Sequence, residues 1–118
     1  MKYSFPEFVA HKKAGGTKSV QIISGSMLPW IGVNETISVE CCQPVDLKPM
    51  DIIVFWIKDI YICHIYLKTE NNHLVTIGLN NKDFDKPTHV NFLLGKVVDP
   101  KFGFIRTLLL KLKFRKML

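Results

Sequence analysis

The chain has 118 residues, of which 47% are hydrophobic, and a formal net charge of +6. This length fits one compact domain with a modest core and no second domain. Three cysteines, two of them the neighbours Cys41 and Cys42, make a poor disulfide framework and indicate a reducing compartment. No apolar run approaches the roughly 20 residues that a membrane-spanning helix needs. The first residues also lack the long apolar core of a secretory signal, so we expect a cytoplasmic protein.

The predicted secondary structure is mostly β. A short helix over Phe5–Lys13 is expected to end at the pair Gly15-Gly16. Strands are predicted next at Val20–Ile23, Thr36–Glu40, Ile52–Ile57, Ile60–Leu67, His73–Ile77 and Phe92–Val98. The continuous apolar run Ile52–Ile57 is typical of a strand buried on both faces, and Glu70-Asn71-Asn72 predicts a hairpin turn. We therefore expect a mainly β domain over residues 18–99, preceded by a segment of residues 1–17.

Residues 100–118 form a basic C-terminal tail. All 10 acidic residues precede it, and it holds 6 of the 16 basic residues, which account for the whole net charge. If the tail is helical, Ile105, Leu108, Leu109 and Leu112 share one face. Such a helix is expected to dock on its own domain, to lie on an anionic membrane surface, or to bind an acidic leader peptide. Nucleic acid is the weaker option, because the basic residues alternate with Leu rather than with stacking aromatic residues.

The segment Ser24–Pro29 follows an apolar strand and predicts a nucleophile loop. Gly25 is expected to let the backbone turn tightly there. A serine hydroxyl is a poor nucleophile unless a base within hydrogen-bond reach removes its proton. His64 interrupts an apolar strand, where a polar side chain needs a partner, and imidazole can exchange a proton near neutral pH. We therefore predict Ser26 as the nucleophile and His64 as its base.

These motifs, in their order along the chain, resemble the signal peptidase I family over roughly residues 20–98. In that family a Ser-x-Ser-Met-x-Pro box carries the nucleophile, and a Gly-Asp-Ile-Val-Val-Phe-like strand, a base-bearing strand and a Gly-Asp-Asn-Asn-like box follow. The matching segments here are Ser24–Pro29, Asp51–Phe55, Ile60–His64 and Thr76–Asn81. Most bacterial members have Lys as the base. A His, as at His64, is found in the endoplasmic-reticulum and archaeal branch and fits small soluble bacterial relatives thought to serve peptide maturation.

The resemblance implies a single signal-peptidase-like (LexA-like) β domain that acts as a serine endopeptidase on leader or signal-like peptides, with a Ser26/His64 dyad. We expect no cofactor and no metal. Cys41, Cys42, Cys63 and His64 also lack the paired spacing of a zinc site. The oxyanion donors that the resemblance implies are the backbone N–H of Ser26 and the hydroxyl of Ser24, although Ser24 could equally be a plain turn residue.

The chain also departs from the family pattern. Asn34 and Met50 stand where the family has the glycine of a Gly-Asp turn, and Ile65 stands where Arg usually follows the His. Leu79 stands where the family box has Asp. If that Asp normally orients the base, Asp85 or Asp83 has to replace it, and Asp85 fits a gap-free count along the box better.

Two other functions stay open at this point. The substitution at Leu79 suggests a catalytically impaired relative that binds leader or signal-like peptides without cutting them. A self-cleaving repressor-type peptidase domain resembles the same fold, but it uses Lys as its base. It also normally carries a DNA-binding helical domain, for which the first twenty residues are too few.

Overall fold

The computed structural model describes residues 2–80, 83–101 and 103–115, which form one antiparallel sheet of seven strands with a helix near each end of the chain. The helices are α1 (Phe5–Ala14) and α2 (Phe104–Phe114). The strands are β1 (Thr17–Ile22), β2 (Glu35–Cys41), β3 (Ile52–Ile57), β4 (Ile60–Glu70), β5 (His73–Ile77), β6 (Thr88–His89) and β7 (Leu93–Asp99). Their order in the sheet is β1-β2-β7-β3-β4-β5-β6. The predicted mainly β domain with an N-terminal and a C-terminal helix is confirmed.

The predicted strands match the sheet, with shifts at their ends. Strand β3 has the predicted bounds, whereas β4 runs on to Glu70, so that only Asn71 and Asn72 form the hairpin turn. Both turn residues have positive φ, 51° and 60°, as a two-residue hairpin of type I′ requires. Strand β6 was not predicted, because two residues carry no periodic pattern.

The sheet is strongly curved. Strands β1 and β4 approach each other, although three strands separate them in the sheet order. A flat sheet would hold them about 19 Å apart at the usual strand spacing. The curvature brings the loop that follows β1 towards residues of β4.

Strand β3 is buried on both faces, as its apolar run predicts. Ile52 and Val54 belong to the larger core cluster, to which both helices also contribute. Ile53 and Phe55 belong to a second, smaller cluster with Leu74 of β5. Because successive side chains of a strand point to opposite faces, β3 joins the two clusters.

The two turns at which the family resemblance predicts a glycine have a left-handed backbone in the structure. Asn34 has φ 63° and Met50 has φ 76°. Asn adopts this region readily, whereas for a long side chain such as Met it is uncommon. Met50 is held there because its side chain is buried and its N–H donates to the carbonyl of Tyr66 at 2.8 Å.

Helix α2 packs on the domain through Leu110 and Phe114, which are buried in the larger core cluster. The leucines that the sequence groups on one apolar face, Leu108, Leu109 and Leu112, are instead exposed. The side chain of Ile105 and the whole of Lys116 lie outside the described part of the chain. No helix formed by the described residues is long and apolar enough to span a membrane.

Candidate active site

Ser26 lies in the loop between β1 and β2. The loop turns tightly, because the N–H groups of Trp30 and Ile31 both donate to the carbonyl of Met27, at 2.8 and 3.0 Å. The side chains of Met27 and Ile31 are buried in the larger core cluster. These two apolar anchors fix the loop on the sheet and leave the neighbouring Ser26 partly exposed.

Gly25 lies in this tight turn, as expected, and it contributes through its missing side chain rather than through a positive φ. Among the described glycines, only Gly15 and Gly16 have positive φ. A Cβ at Gly25 would come within 3.1 Å of Leu28 Cδ1 and 3.4 Å of Val33 Cγ2. The absent side chain therefore lets Leu28 pack directly against the backbone next to Ser26.

His64 faces the opposite side of β4 from the core residues beside it. Cys63 and Ile65 are fully buried in the larger cluster, so the alternation of the strand turns His64 away from that cluster. Its side chain is 12% exposed, and its ring meets that of Phe55 edge-on with centroids 5.9 Å apart. This environment holds the imidazole in one orientation while keeping an edge open to solvent.

The structure brings Ser26, His64 and Asp85 into one line of contacts. His64 Nε2 lies 2.8 Å from Ser26 Oγ. On the other side of the ring, His64 Nδ1 is hydrogen-bonded to Asp85 Oδ2. Asp85 is held in turn by Thr76, whose Oγ1 donates to Asp85 Oδ2 at 2.8 Å and whose carbonyl accepts from the Asp85 N–H at 2.9 Å. The arrangement is that of a nucleophile, a base and a carboxylate that orients the base.

These heavy-atom contacts fit one consistent placement of protons. Asp85 accepts from His64 Nδ1–H, which leaves Nε2 as an acceptor for the hydroxyl proton of Ser26. The Ser24 hydroxyl, 2.9 Å from Ser26 Oγ, then donates to that oxygen. In this placement His64 Nε2 can accept the hydroxyl proton of Ser26.

The two expected oxyanion donors are paired with each other. The backbone N–H of Ser26 donates to Ser24 Oγ at 3.1 Å, while the Ser24 hydroxyl is engaged with Ser26 Oγ. A rotation of the Ser24 side chain would break both contacts. It would free the N–H of Ser26 and the hydroxyl of Ser24 together.

Asn80, which follows β5 by three residues, fixes the loop that carries Ser26. Its N–H donates to the carbonyl of Ser26 at 3.2 Å, and its side-chain amide donates to the carbonyl of Gly25 at 3.4 Å. The preceding Leu79 is buried in the larger core cluster, and its carbonyl accepts from Lys113 Nζ of α2 at 2.7 Å. The segment Leu79-Asn80 therefore connects α2 to the loop that carries Ser26.

The other candidates do not meet Ser26. Asp83 is exposed, and it is Asp85 that contacts His64. Lys68 forms an exposed ion pair with Glu70 at 3.1 Å. His11 is partly buried, with its Nδ1 2.8 Å from Tyr61 Oη. Within the described ranges, no group of three or more His, Cys, Asp or Glu side chains is arranged to hold a metal ion.

Sequence reasoning missed the roles of Thr76 and Asn80. Both lie in the segment Thr76–Asn81, which resembles the Gly-Asp-Asn-Asn-like box, but the sequence predicted no contact for either residue. Thr76 is a polar residue in an apolar strand and is 1% exposed, which signals that its hydroxyl needs a buried partner. Asn81, the last residue of that segment, lies outside the described residues.

No protein-family model matches the chain, and no curated protein matches its sequence. The chemistry of the site is therefore inferred from the contacts of Ser26, His64 and Asp85.

Proposed function

We propose that the protein is a serine endopeptidase in which Ser26 is the nucleophile, His64 the general base and Asp85 the residue that orients the base. The observation that carries the proposal is the contact of His64 Nε2 with Ser26 Oγ at 2.8 Å, on a ring whose other nitrogen is bonded to Asp85. His64 and Asp85 are both largely shielded from water, with side chains 12% and 20% exposed. Shielding strengthens the hydrogen bond between them and keeps the imidazole in the tautomer that accepts a proton at Nε2.

The proposed reaction begins when Ser26 Oγ attacks the peptide carbonyl carbon and His64 Nε2 takes the hydroxyl proton. Negative charge then forms on the carbonyl oxygen. Rotation of the Ser24 side chain would turn its hydroxyl towards that oxygen and would free the Ser26 N–H to donate to it, so that a single movement makes two donors available. His64 returns the proton to the leaving amine, and a water molecule, activated by the same base, releases the acyl group from Ser26.

We infer that the substrates are leader or signal-like peptides bound in an extended, largely apolar form. The signal peptidase resemblance suggests this class. Apolar side chains next to the Ser26 loop agree with it, since Leu28 and Val33 border Gly25 and are 41% and 53% exposed. Such side chains favour contact with apolar residues of a peptide over contact with a charged one.

We also propose that the curved sheet has the signal-peptidase (LexA-like) fold. The proposal is supported by the order of the site residues, with Ser26 after β1, His64 on β4 and Asp85 after β5, as in the motifs that the sequence suggests. A reducing, cytoplasmic compartment, which the cysteine pattern of the sequence suggests, is part of the same proposal. An experimental structure in which β4 and the nucleophile loop do not superpose on that fold would contradict this part of the proposal.

The alternative of a catalytically impaired peptide-binding protein arose from Leu79. In the structure the Leu79 side chain packs in the core, and Asp85 contacts His64. The replacement of the family Asp by Leu79 therefore leaves His64 with a carboxylate partner. The alternative is retained as one outcome of the following test.

A fluorophosphonate probe, which labels activated serines covalently, tests the proposal. The wild-type protein should be labelled, and Ser26→Ala should abolish both labelling and cleavage of a signal-like peptide. Ser38→Ala is the matched control, because Ser38 is a partly buried serine in β2 that is remote from His64 in the sheet. It should leave labelling unchanged. Wild-type protein that binds the peptide but neither reacts with the probe nor cleaves would support the impaired alternative, and labelling that persists in Ser26→Ala would refute the assignment of the nucleophile.

A further inference from the structure

Helix α2 has two apolar faces, and only one of them packs on the domain. Leu110 and Phe114 are buried at 1% and 3% exposure, while Leu108, Leu109 and Leu112 are 44%, 52% and 56% exposed. At about 100° per residue, the centre of the three exposed leucines lies roughly 180° around the helix from the centre of the buried pair. The exposed leucines therefore form a stripe that points directly away from the core, and we call it the outer leucine stripe.

Basic side chains border the outer leucine stripe on both sides. On the same helical wheel Lys111 and Arg115 lie along one edge, and Arg106 and Lys113 lie along the other. No acidic residue follows Asp99 in the chain. An apolar stripe with cationic edges and no acidic residue is the pattern of a helix that lies in a membrane interface, with its leucines among the acyl chains and its cations at the headgroups.

We propose that the outer leucine stripe and its basic edges form a docking surface for an anionic lipid bilayer, and that α2 lies flat on the bilayer while its inner face stays packed on the domain. The exposed Lys111 and Arg115 are attracted to acidic headgroups, and burial of the leucines adds a contribution that salt does not screen. The surface does not depend on the proposed peptidase activity.

Docking in this way would bring the candidate active site close to the bilayer. Lys113 donates to the carbonyl of Leu79, and the neighbouring Asn80 donates to the carbonyl of Ser26. On the other side of the helix, the guanidinium of Arg106 lies 5.4 Å from the ring centre of Trp30 in the nucleophile loop. The site would then be separated from the lipid by about one helix diameter, on the order of 10 Å.

Vesicle sedimentation with the full-length protein tests the docking surface. We expect the protein to sediment at low salt with vesicles of phosphatidylcholine that contain phosphatidylglycerol, to sediment much less with phosphatidylcholine alone, and to be released partly by raised salt. Leu108→Ser with Leu112→Ser should lower partitioning by about tenfold or more, because two buried leucines are lost. The matched control is Val9→Ser with Val45→Ser, two residues elsewhere that are 41% and 87% exposed, and it should partition like the wild type.

A second pair of variants tests the basic edge and does not depend on how the leucine variant folds. Lys111→Gln with Arg115→Gln should reduce partitioning roughly 30-fold, since each cation near an anionic surface contributes about fivefold. The control Lys13→Gln with Lys48→Gln removes two exposed charges remote from α2 in the sequence and should have little effect. Ser26→Ala should bind vesicles like the wild type, so that failure of the peptidase proposal and failure of this one are distinguishable.

Two results would overturn the proposal. One is wild-type protein that ignores anionic vesicles at low salt. The other is a concentration-dependent dimer, observed by sedimentation velocity without lipid and abolished by Leu108→Ser with Leu112→Ser, which would assign the outer leucine stripe to a second copy of the chain.

Discussion

At the scale of single residues, the contact between Asp85 and His64 decides whether the candidate site can work. Asp85 accepts from His64 Nδ1 and receives a second hydrogen bond from Thr76. An amide at residue 85 could instead donate to Nδ1, which would leave the ring proton on Nε2, where it faces Ser26. The imidazole would then be unable to accept the serine proton.

We therefore expect Asp85→Asn to lower kcat by roughly 10³ to 10⁴, with little change in KM. Asp83→Asn, a matched change in an exposed residue of the same loop, should leave kcat within about twofold of the wild type. Steady-state cleavage of a signal-like peptide measures both. Equal activity of wild type and Asp85→Asn would show that another group orients His64.

The second prediction at this scale concerns Ser24. Its hydroxyl is engaged with Ser26 Oγ, and its oxygen accepts from the Ser26 N–H. Ser24→Ala removes the hydroxyl donor but leaves the Ser26 N–H free for the oxyanion. We expect turnover to fall by roughly 10² to 10³, as for the loss of one oxyanion donor, with KM nearly unchanged. Ser24→Thr keeps the hydroxyl and should retain far more activity. A turnover of Ser24→Ala within twofold of the wild type would make Ser24 a turn residue only.

At the scale of the elements, strand β7 has no room for a side chain at Gly95. It lies between β2 and β3, and Gly95 is paired with Cys41 on one side and Val54 on the other. A Cβ at this position would lie 2.0 Å from the carbonyl oxygen of Glu40. Because that neighbour is backbone in the next strand, the clash cannot be relieved by a side-chain rotation.

Gly95→Ala should therefore lower the free energy of unfolding by about 3 kcal/mol or more, at the upper end of what overpacking costs. Gly103→Ala is the control, since a Cβ there meets no atom within 4 Å and the change should cost no more than about 1 kcal/mol at the start of α2. Urea unfolding followed by circular dichroism measures both. Equal stability of the two variants would mean that β2 and β7 are not packed as closely as described.

At the scale of the whole molecule, thiol and phenol groups whose pKa values are raised by burial lower the stability of the fold at high pH. Burial raises the pKa of the Cys42 thiol from 9.0 to about 11, with the charge of Asp46 adding to the rise and that of Lys96 opposing it. Burial likewise raises the pKa values of the Cys63 thiol and the Tyr61 phenol. Above about pH 9 an unfolded chain loses the Cys42 proton while the folded chain keeps it, so ionisation favours unfolding.

We expect the free energy of unfolding to fall as pH rises from about 9 to 11, and Cys42→Ala to make that fall shallower. Thermal unfolding of both proteins across this range, at fixed ionic strength, measures the effect. A wild-type Tm that stays constant or rises with pH would contradict it.

Much of this fold is predictable from local pattern, and the reasons for the exceptions are physical. The run Ile52–Ile57 is apolar at every position, and it forms a strand with the expected bounds. Strand β6 has two residues and exists because β5 supplies its partner, which no local pattern shows. In α2, the apolar periodicity of the sequence predicts one apolar face that contains the outer leucines. The residues that are buried on the domain are instead Leu110 and Phe114.

The candidate site divides in the same way. Ser26 and His64 follow from the motif order, and Asp85 follows from a count along the box. These assignments stay predictions until the variants are measured. The contacts of Thr76 and Asn80 depend on how the loops meet in space, so the sequence could show only that both residues are polar beside apolar neighbours.

The curvature that brings β1 towards β4 has a practical consequence. Ser26 and His64 are 38 residues apart in the chain, and their side chains meet only while the sheet keeps its curvature around the core. An open or unfolded chain would carry an ordinary, inert serine. Covalent labelling of Ser26 during a denaturant titration would then report the population of folded molecules. Loss of labelling should parallel loss of the β signal in circular dichroism.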